Sequence, residues 1–107
     1  MNVVQITFDA LIGGQSSKLT LAATSVQTTP IVAPTNHPPR TPIKCTFAAS
    51  VNVFFRKGVG TAVAVADGTD QFCYGGNLVR TELLPGEVIA FIPESGSTGT
   101  VYFTPGA

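Results

Sequence analysis

Ionised side chains are scarce in this chain. Six Lys or Arg and six Asp or Glu stand among 107 residues, a charged share of 11% where an ordinary soluble domain carries about 25%. The two signs cancel to a formal net charge of +0, with an isoelectric point near 6.5. Binding to nucleic acid needs clustered cations opposite phosphates. Of Lys18, Arg40, Lys44, Arg56, Lys57 and Arg80, only Arg56 and Lys57 are adjacent, so no nucleic-acid partner is expected. No apolar run approaches the roughly 20 residues that a membrane-crossing helix needs, and no membrane partner is expected. Met1-Asn2-Val3-Val4-Gln5 shows no basic stretch leading into an apolar segment with a cleavage site. The expectation is synthesis in a cytoplasm, with Cys45 and Cys73 as reduced thiols behaving as small hydrophobes.

Catalytic residues are as sparse as charges. His37 is the one histidine, and it sits between Asn36 and Pro38 with no acid or nucleophile near it in sequence. No Gly-x-Ser-x-Gly elbow occurs. Two cysteines and one histidine, widely separated, cannot supply the four ligands of a structural zinc. Asp67-Gly68-Thr69-Asp70 places two carboxylates close together, but turn chemistry accounts for it without an ion. Gly13-Gly14-Gln15-Ser16-Ser17-Lys18 lacks the Gly-Lys-Ser/Thr ending of a phosphate loop. Tryptophan is absent, which removes the strongest sugar-stacking side chain. The expected protein is not an enzyme and takes no metal or cofactor.

What the chain does have is β-branched and apolar residues, cut at short intervals by Gly and Pro. Hydrophobic residues make up 44% and mean hydropathy is +0.32. Short apolar runs bounded by turn residues predict strands, and nothing shows helical spacing. Strands are expected over Val3–Phe8, Lys18–Ala23, Cys45–Phe47, Val51–Phe55, Thr61–Ala66, Leu78–Leu84, Glu87–Ile92 and Thr100–Thr104. The first two are expected to pair as a hairpin around Gly13–Ser16. Turns are expected at Lys57–Gly60, Asp67–Asp70, Gly75–Asn77 and Pro85-Gly86, with a polar turn over Pro93–Gly99. The run Val88-Ile89-Ala90-Phe91-Ile92 predicts a strand buried on both faces. About eight short strands make a single all-β domain spanning residues 1–107, a β-sandwich or jelly roll first and a small barrel second.

Thr28 to Pro42 stands apart, holding five of the eight prolines. Proline lacks the ladder donor, so this stretch is expected to run extended along an edge or away from the body. It reads either as a surface loop or as an arm docking on a neighbouring subunit. On the second reading, deleting Thr28–Arg40 should weaken assembly and leave the sheets intact.

Three stretches carry a resemblance: Val51-Asn52-Val53-Phe54-Phe55-Arg56-Lys57-Gly58, Ala62-Val63-Ala64-Val65-Ala66, and Leu84-Pro85-Gly86-Glu87-Val88. A fourth is the closing run from Ser95 through Gly99-Thr100-Val101-Tyr102-Phe103-Thr104 to Pro105-Gly106. Over residues 48–107 the chain resembles small accessory β-sandwich virion proteins of tailed bacteriophages. The resemblance implies capsid decoration or cementing, often as a trimer, with the major capsid protein or other virion subunits as partners. It also implies residence in the virion after synthesis in the host cytoplasm. Head–tail and tail components are similar in size and fold, and a glycan-binding β-sandwich module is the alternative of a different class. The proline-rich segment departs from the pattern. Low charge independently suits a homo-oligomeric, lattice-bound subunit whose surface other chains cover. Candidate interface residues are Ile31, Val32, Pro34, Pro38 and Pro39 in the arm, with Phe54, Phe55, Tyr74, Phe91 and Tyr102 in or beside the strands.

Overall fold

A computed structural model describes residues 17–33, 35–65, 70–94 and 97–105. Among these residues there is no helix, and two four-stranded antiparallel sheets pack face to face. The strands are β1 (Ser17–Leu21), β2 (Val26–Gln27), β3 (Ile43–Ala49), β4 (Val53–Val59), β5 (Gln71–Cys73), β6 (Leu78–Leu83), β7 (Glu87–Pro93) and β8 (Gly99–Pro105). One sheet, here sheet A, has the order β1-β8-β3-β6; the other, sheet B, has the order β2-β7-β4-β5. The pairs β1·β8, β2·β7, β3·β6 and β4·β5 alternate between the sheets. The chain is thus one long antiparallel ribbon rolled on itself, the jelly-roll arrangement of an all-β sandwich.

Alternation along the strands fills the space between the sheets. Ile43, Cys45, Phe47 and Ala49 point inward from β3, and Val101 and Phe103 from β8; Val53 and Phe55 oppose them from β4, Ile89 and Phe91 from β7. Phe47 crosses the gap, its ring edge-on to Phe55 at 5.0 Å and to Phe91 at 4.9 Å. Such edge-to-face contacts add to the area each ring buries.

Strand β7 is buried on both faces, as its continuous apolar run predicts, with Val88, Ile89, Ala90 and Phe91 all at 0% exposure. Ile89 and Phe91 face the core. Val88 and Ala90 face outward and are covered by residues 60–65. Val88 lies opposite Gly58 on β4, and a Cβ on Gly58 would meet the Thr61 carbonyl oxygen at 2.4 Å and the Ala62 Cβ at 2.9 Å. Only glycine lets the chain fold back this closely.

Residues 61–65 therefore form no strand, contrary to their alternating pattern. Their amides bond to side chains: Ala62 to Gln27 Oε1 (3.2 Å), Ala64 to Ser25 Oγ (2.9 Å) and Val65 to Asp70 Oδ2 (2.8 Å). The turn expected at Lys57–Gly60 begins later, because β4 stays paired with β7 as far as Val59 opposite Glu87. Strands β2 and β5 were not expected. The predicted hairpin of Val3–Phe8 with Lys18–Ala23 lies partly outside the described residues, as do Ala66–Thr69 and Ser95–Gly96.

Candidate docking surface

The proline-rich segment divides in two. Its first part is fastened to sheet B: Thr28 N donates to Ile89 O and Ile31 N to Glu87 O, both at 3.0 Å, and Gly86 N donates to Ile31 O at 2.8 Å. Thr28 Oγ1 also accepts from Ile89 N at 3.1 Å. Thr28 and Ile31 are 1% and 4% exposed, so deleting Thr28–Arg40 would open the core and is no clean test of an arm. The second part is a tight loop. Asn36 and Arg40 take positive φ (66° and 60°), and His37 Nε2 donates to Thr41 O at 2.7 Å. His37 thus closes a loop across four residues. Pro38 and Pro39 are exposed on it, and Val32 is exposed beside it. Pro34 lies outside the described residues.

Three of the candidate interface residues are interior. Ile31, Phe55 and Phe91 belong to the core cluster, and of the three Phe55 also lines a surface groove. The outward positions tell a different story. On sheet B, Ile92 of β7, Phe54 of β4 and Phe72 of β5 stand in one cross-strand row. Phe54 and Phe72 rings lie 5.1 Å apart, and Tyr74 continues the row with its ring edge-on to Phe72 at 4.9 Å. Tyr74 is 65% exposed and Phe72 39%.

Around the β5 side the row meets an open groove of about 380 Å³, whose lining includes Phe72, Tyr74, Asn77, Leu78 and Val79. Leu78 is 61% exposed. An apolar belt therefore runs from the outer face of sheet B, round the β5 and β6 edges, to sheet A. There Lys18, Tyr102, Ala48 and Leu78 form a row across all four strands, with Tyr102 exposed. The rest of that face is largely neutral: Thr20, Thr46, Thr100 and Thr104 point outward beside Lys44, Arg80 and Glu82.

The belt is held in place by the turn between β5 and β6. Gly75 N donates to Asn52 Oδ1 at 2.9 Å and Gly76 N to Ala49 O at 2.8 Å. A Cβ on Gly75 would lie 2.8 Å from the Val51 backbone, so the turn rests directly on the β3–β4 connection. Phe72 and Leu78 escaped the sequence reading. The out-in-out pattern of Phe72-Cys73-Tyr74 was the available signal, but three residues between two turns are too short a run to stand out.

The belt offers rigid aromatic and aliphatic surface, the chemistry of non-covalent docking. Of the two thiols only that of Cys73 lines the groove, and it is nearly covered there. Cys45 and Cys73 are free and buried. Burial pushes the Cys45 thiol up to about 12 and raises the Cys73 thiol as well, which keeps both protonated and unreactive near neutral pH. Among the described residues no cluster of three or more His, Cys, Asp or Glu could hold a metal ion, and no helix is long and apolar enough to cross a membrane. No protein-family model, curated protein or solved structure matches the chain.

Proposed function

We propose that the chain is a structural subunit of a viral particle, a capsid decoration or cement protein that bridges neighbouring capsid subunits. The observation that supports it best is the apolar belt of Phe54, Phe72, Tyr74 and Leu78 on a sandwich with so few charges. A decorating subunit works by leaving one side wet and drying another against the lattice. Aromatic side chains suit the dry side, because they bring large area and lose few rotamers when fixed. The threonine-rich part of sheet A's outer face, away from Leu78 and Tyr102, suits the wet side. A head–tail or tail component would use the same surface at another place in the particle.

The test is cosedimentation with capsids of the phage that encodes the chain. The wild-type protein pellets saturably with capsids. Phe72→Ala combined with Tyr74→Ala weakens that binding about tenfold or more, the loss expected of two interface anchors, and leaves the far-UV circular dichroism unchanged. Saturable binding to soluble glycans, with no capsid association, overturns the proposal in favour of a glycan-binding module.

A further inference from the structure

Strand β6 ends sheet A, and its outer edge is unpaired among the described residues. Which of its backbone groups face outward follows from β3 and β8. Pro105 lies opposite Cys45 and has no N–H, so it cannot donate in that pair, as suits a non-hydrogen-bonded position. Ser50 N, by contrast, donates to Thr100 O at 2.9 Å. Even-numbered residues of β3 therefore bond β8, and odd-numbered ones bond β6 through Ile43·Leu83, Cys45·Thr81 and Phe47·Val79. That leaves the N–H and C=O groups of Leu78, Arg80 and Glu82 pointing off the edge. The Lys57 ammonium confirms the direction, reaching from β4 to donate to Glu82 O at 3.2 Å.

We infer that two copies of the chain pair antiparallel through these β6 edges, on a two-fold axis at Thr81. Groups that face an edge must oppose groups that face it from the other side. Centring the axis on Thr81 sets Arg80 against Glu82 of the second copy, and Glu82 against its Arg80. In both pairs the backbone groups face the edge, and Glu82 O gives up its bond from the Lys57 ammonium to join the ladder. Both side chains of each pair stand on the same outer face, so the register supplies two complementary Arg–Glu contacts. It also brings Leu78 near Leu84 of the second copy, which lies just past β6 with its backbone bonded to Glu87 in the turn; the two side chains are 61% and 40% exposed in the single chain.

Edge strands that are defended against pairing carry charges that repel their like, Lys above all. Arg and Glu two residues apart do the opposite, because an antiparallel copy meets them crosswise. The two sheets A then join into one sheet of eight strands, four from each copy. A six-residue edge buries less than the roughly 800 Å² per partner of a standard stable interface. The pair is accordingly a weak one, strengthened where a lattice holds many copies together.

This inference deepens the proposed function, resting on its premise that other chains cover part of the surface, and it fixes a two-fold contact where the resemblance implies a threefold one. Sedimentation equilibrium on the full chain at high micromolar concentration tests it. The wild-type chain sediments as a reversible dimer. Arg80→Glu sets two like-charged pairs face to face and sediments as a monomer, and so does Glu82→Arg. An equimolar mixture of these two variants restores both complementary contacts and forms the heterodimer, with circular dichroism unchanged throughout. A monomeric wild-type chain overturns the inference, as do an Arg80→Glu chain that dimerises like wild type and a mixture that stays monomeric. A chain that is monomeric alone yet pellets with capsids sinks the β6 pairing and spares the proposed function; dimerisation without capsid binding does the reverse.

Discussion

The β2 side of sheet B and the β6 side of sheet A both set unpaired backbone groups beside apolar faces, and the faces next to them are finished in opposite ways. At β2 the chain itself supplies the cover. Gln27 accepts from Ala62 N and donates to Gly60 O, both at 3.2 Å, while Ser25 accepts from Ala64 N. Residues 60–65 are thereby stitched over Val88 and Ala90. At β6, among the described residues, the closure is a single lysine reaching one carbonyl. A jelly roll this low in charge has not spread protection evenly, and the covered side shows that its sequence is able to lay a loop over a sheet face. The open side is where a partner fits.

Both sides hang on one core, and the largest effect comes from removing what they share. Phe47→Ala takes away the ring that touches both Phe55 and Phe91 and leaves a cavity between the sheets. A loss of about 3–5 kcal/mol is expected, measured by urea denaturation. Hydrogen exchange should then show protection falling at the β2 and β6 sides together. Protection lost on one side only would mean that the sheets are stabilised separately, and the comparison of their edges would lose its common reference.

Next in size is the seal itself. Gln27→Ala removes both bonds of the side chain to residues 60–62 and leaves the Ala62 amide without its acceptor. A destabilisation of about 1–3 kcal/mol is expected, with faster exchange confined to residues 60–65 and their β7 neighbours. Arg56 and Asp70 hold the far end of the same cover through a 2.7 Å ion pair in which Asp70 is almost fully shielded, so the loop loosens from the β2 side without detaching. Faster exchange that spread to β6 would show that the seal and the open edge are one cooperative unit.

This contrast between edges was only partly written where a linear reading finds it. The run from Val88 to Ile92 announces burial on both faces, because no polar residue interrupts it, and the structure agrees. The material that covers its outer face was not legible. Ala62, Ala64 and their neighbours alternate like a strand, and the polar side chains that take their amides, Gln27 and Ser25, lie 35 and 39 residues away. Propensity sees the alternation and cannot see the remote acceptor. Val51, Val53 and Phe55 share a face as their spacing dictates, yet the same logic could not tell that Phe55 and Phe91 end inside while Phe54 and Phe72 end outside. That choice belongs to the ribbon's roll. Thr28 and Ile31 failed to read as structural for a related reason: the prolines around them forbid a regular ladder, while single bonds to Ile89, Glu87 and Gly86 suffice to fix them. Arg80 and Glu82 were visible as charges; their meaning depends on which way the β6 backbone faces.

The smallest expected effect falls on Lys57 and bears most directly on the open edge. Its ammonium donates to Glu82 O in an exposed setting, where water competes for both partners, so the bond adds little to the fold. Lys57→Met should leave monomer stability within about 0.5 kcal/mol. The same substitution frees one of the carbonyls that the second copy must meet, so the sedimentation dimer should tighten, by about twofold. The two readouts separate two roles. A chain destabilised by more than about 1 kcal/mol, with no change in dimerisation, would make Lys57 a strut between the sheets. The β6 side would then be finished by the chain's own side chain, as the β2 side is, and the difference between the two would be one of degree.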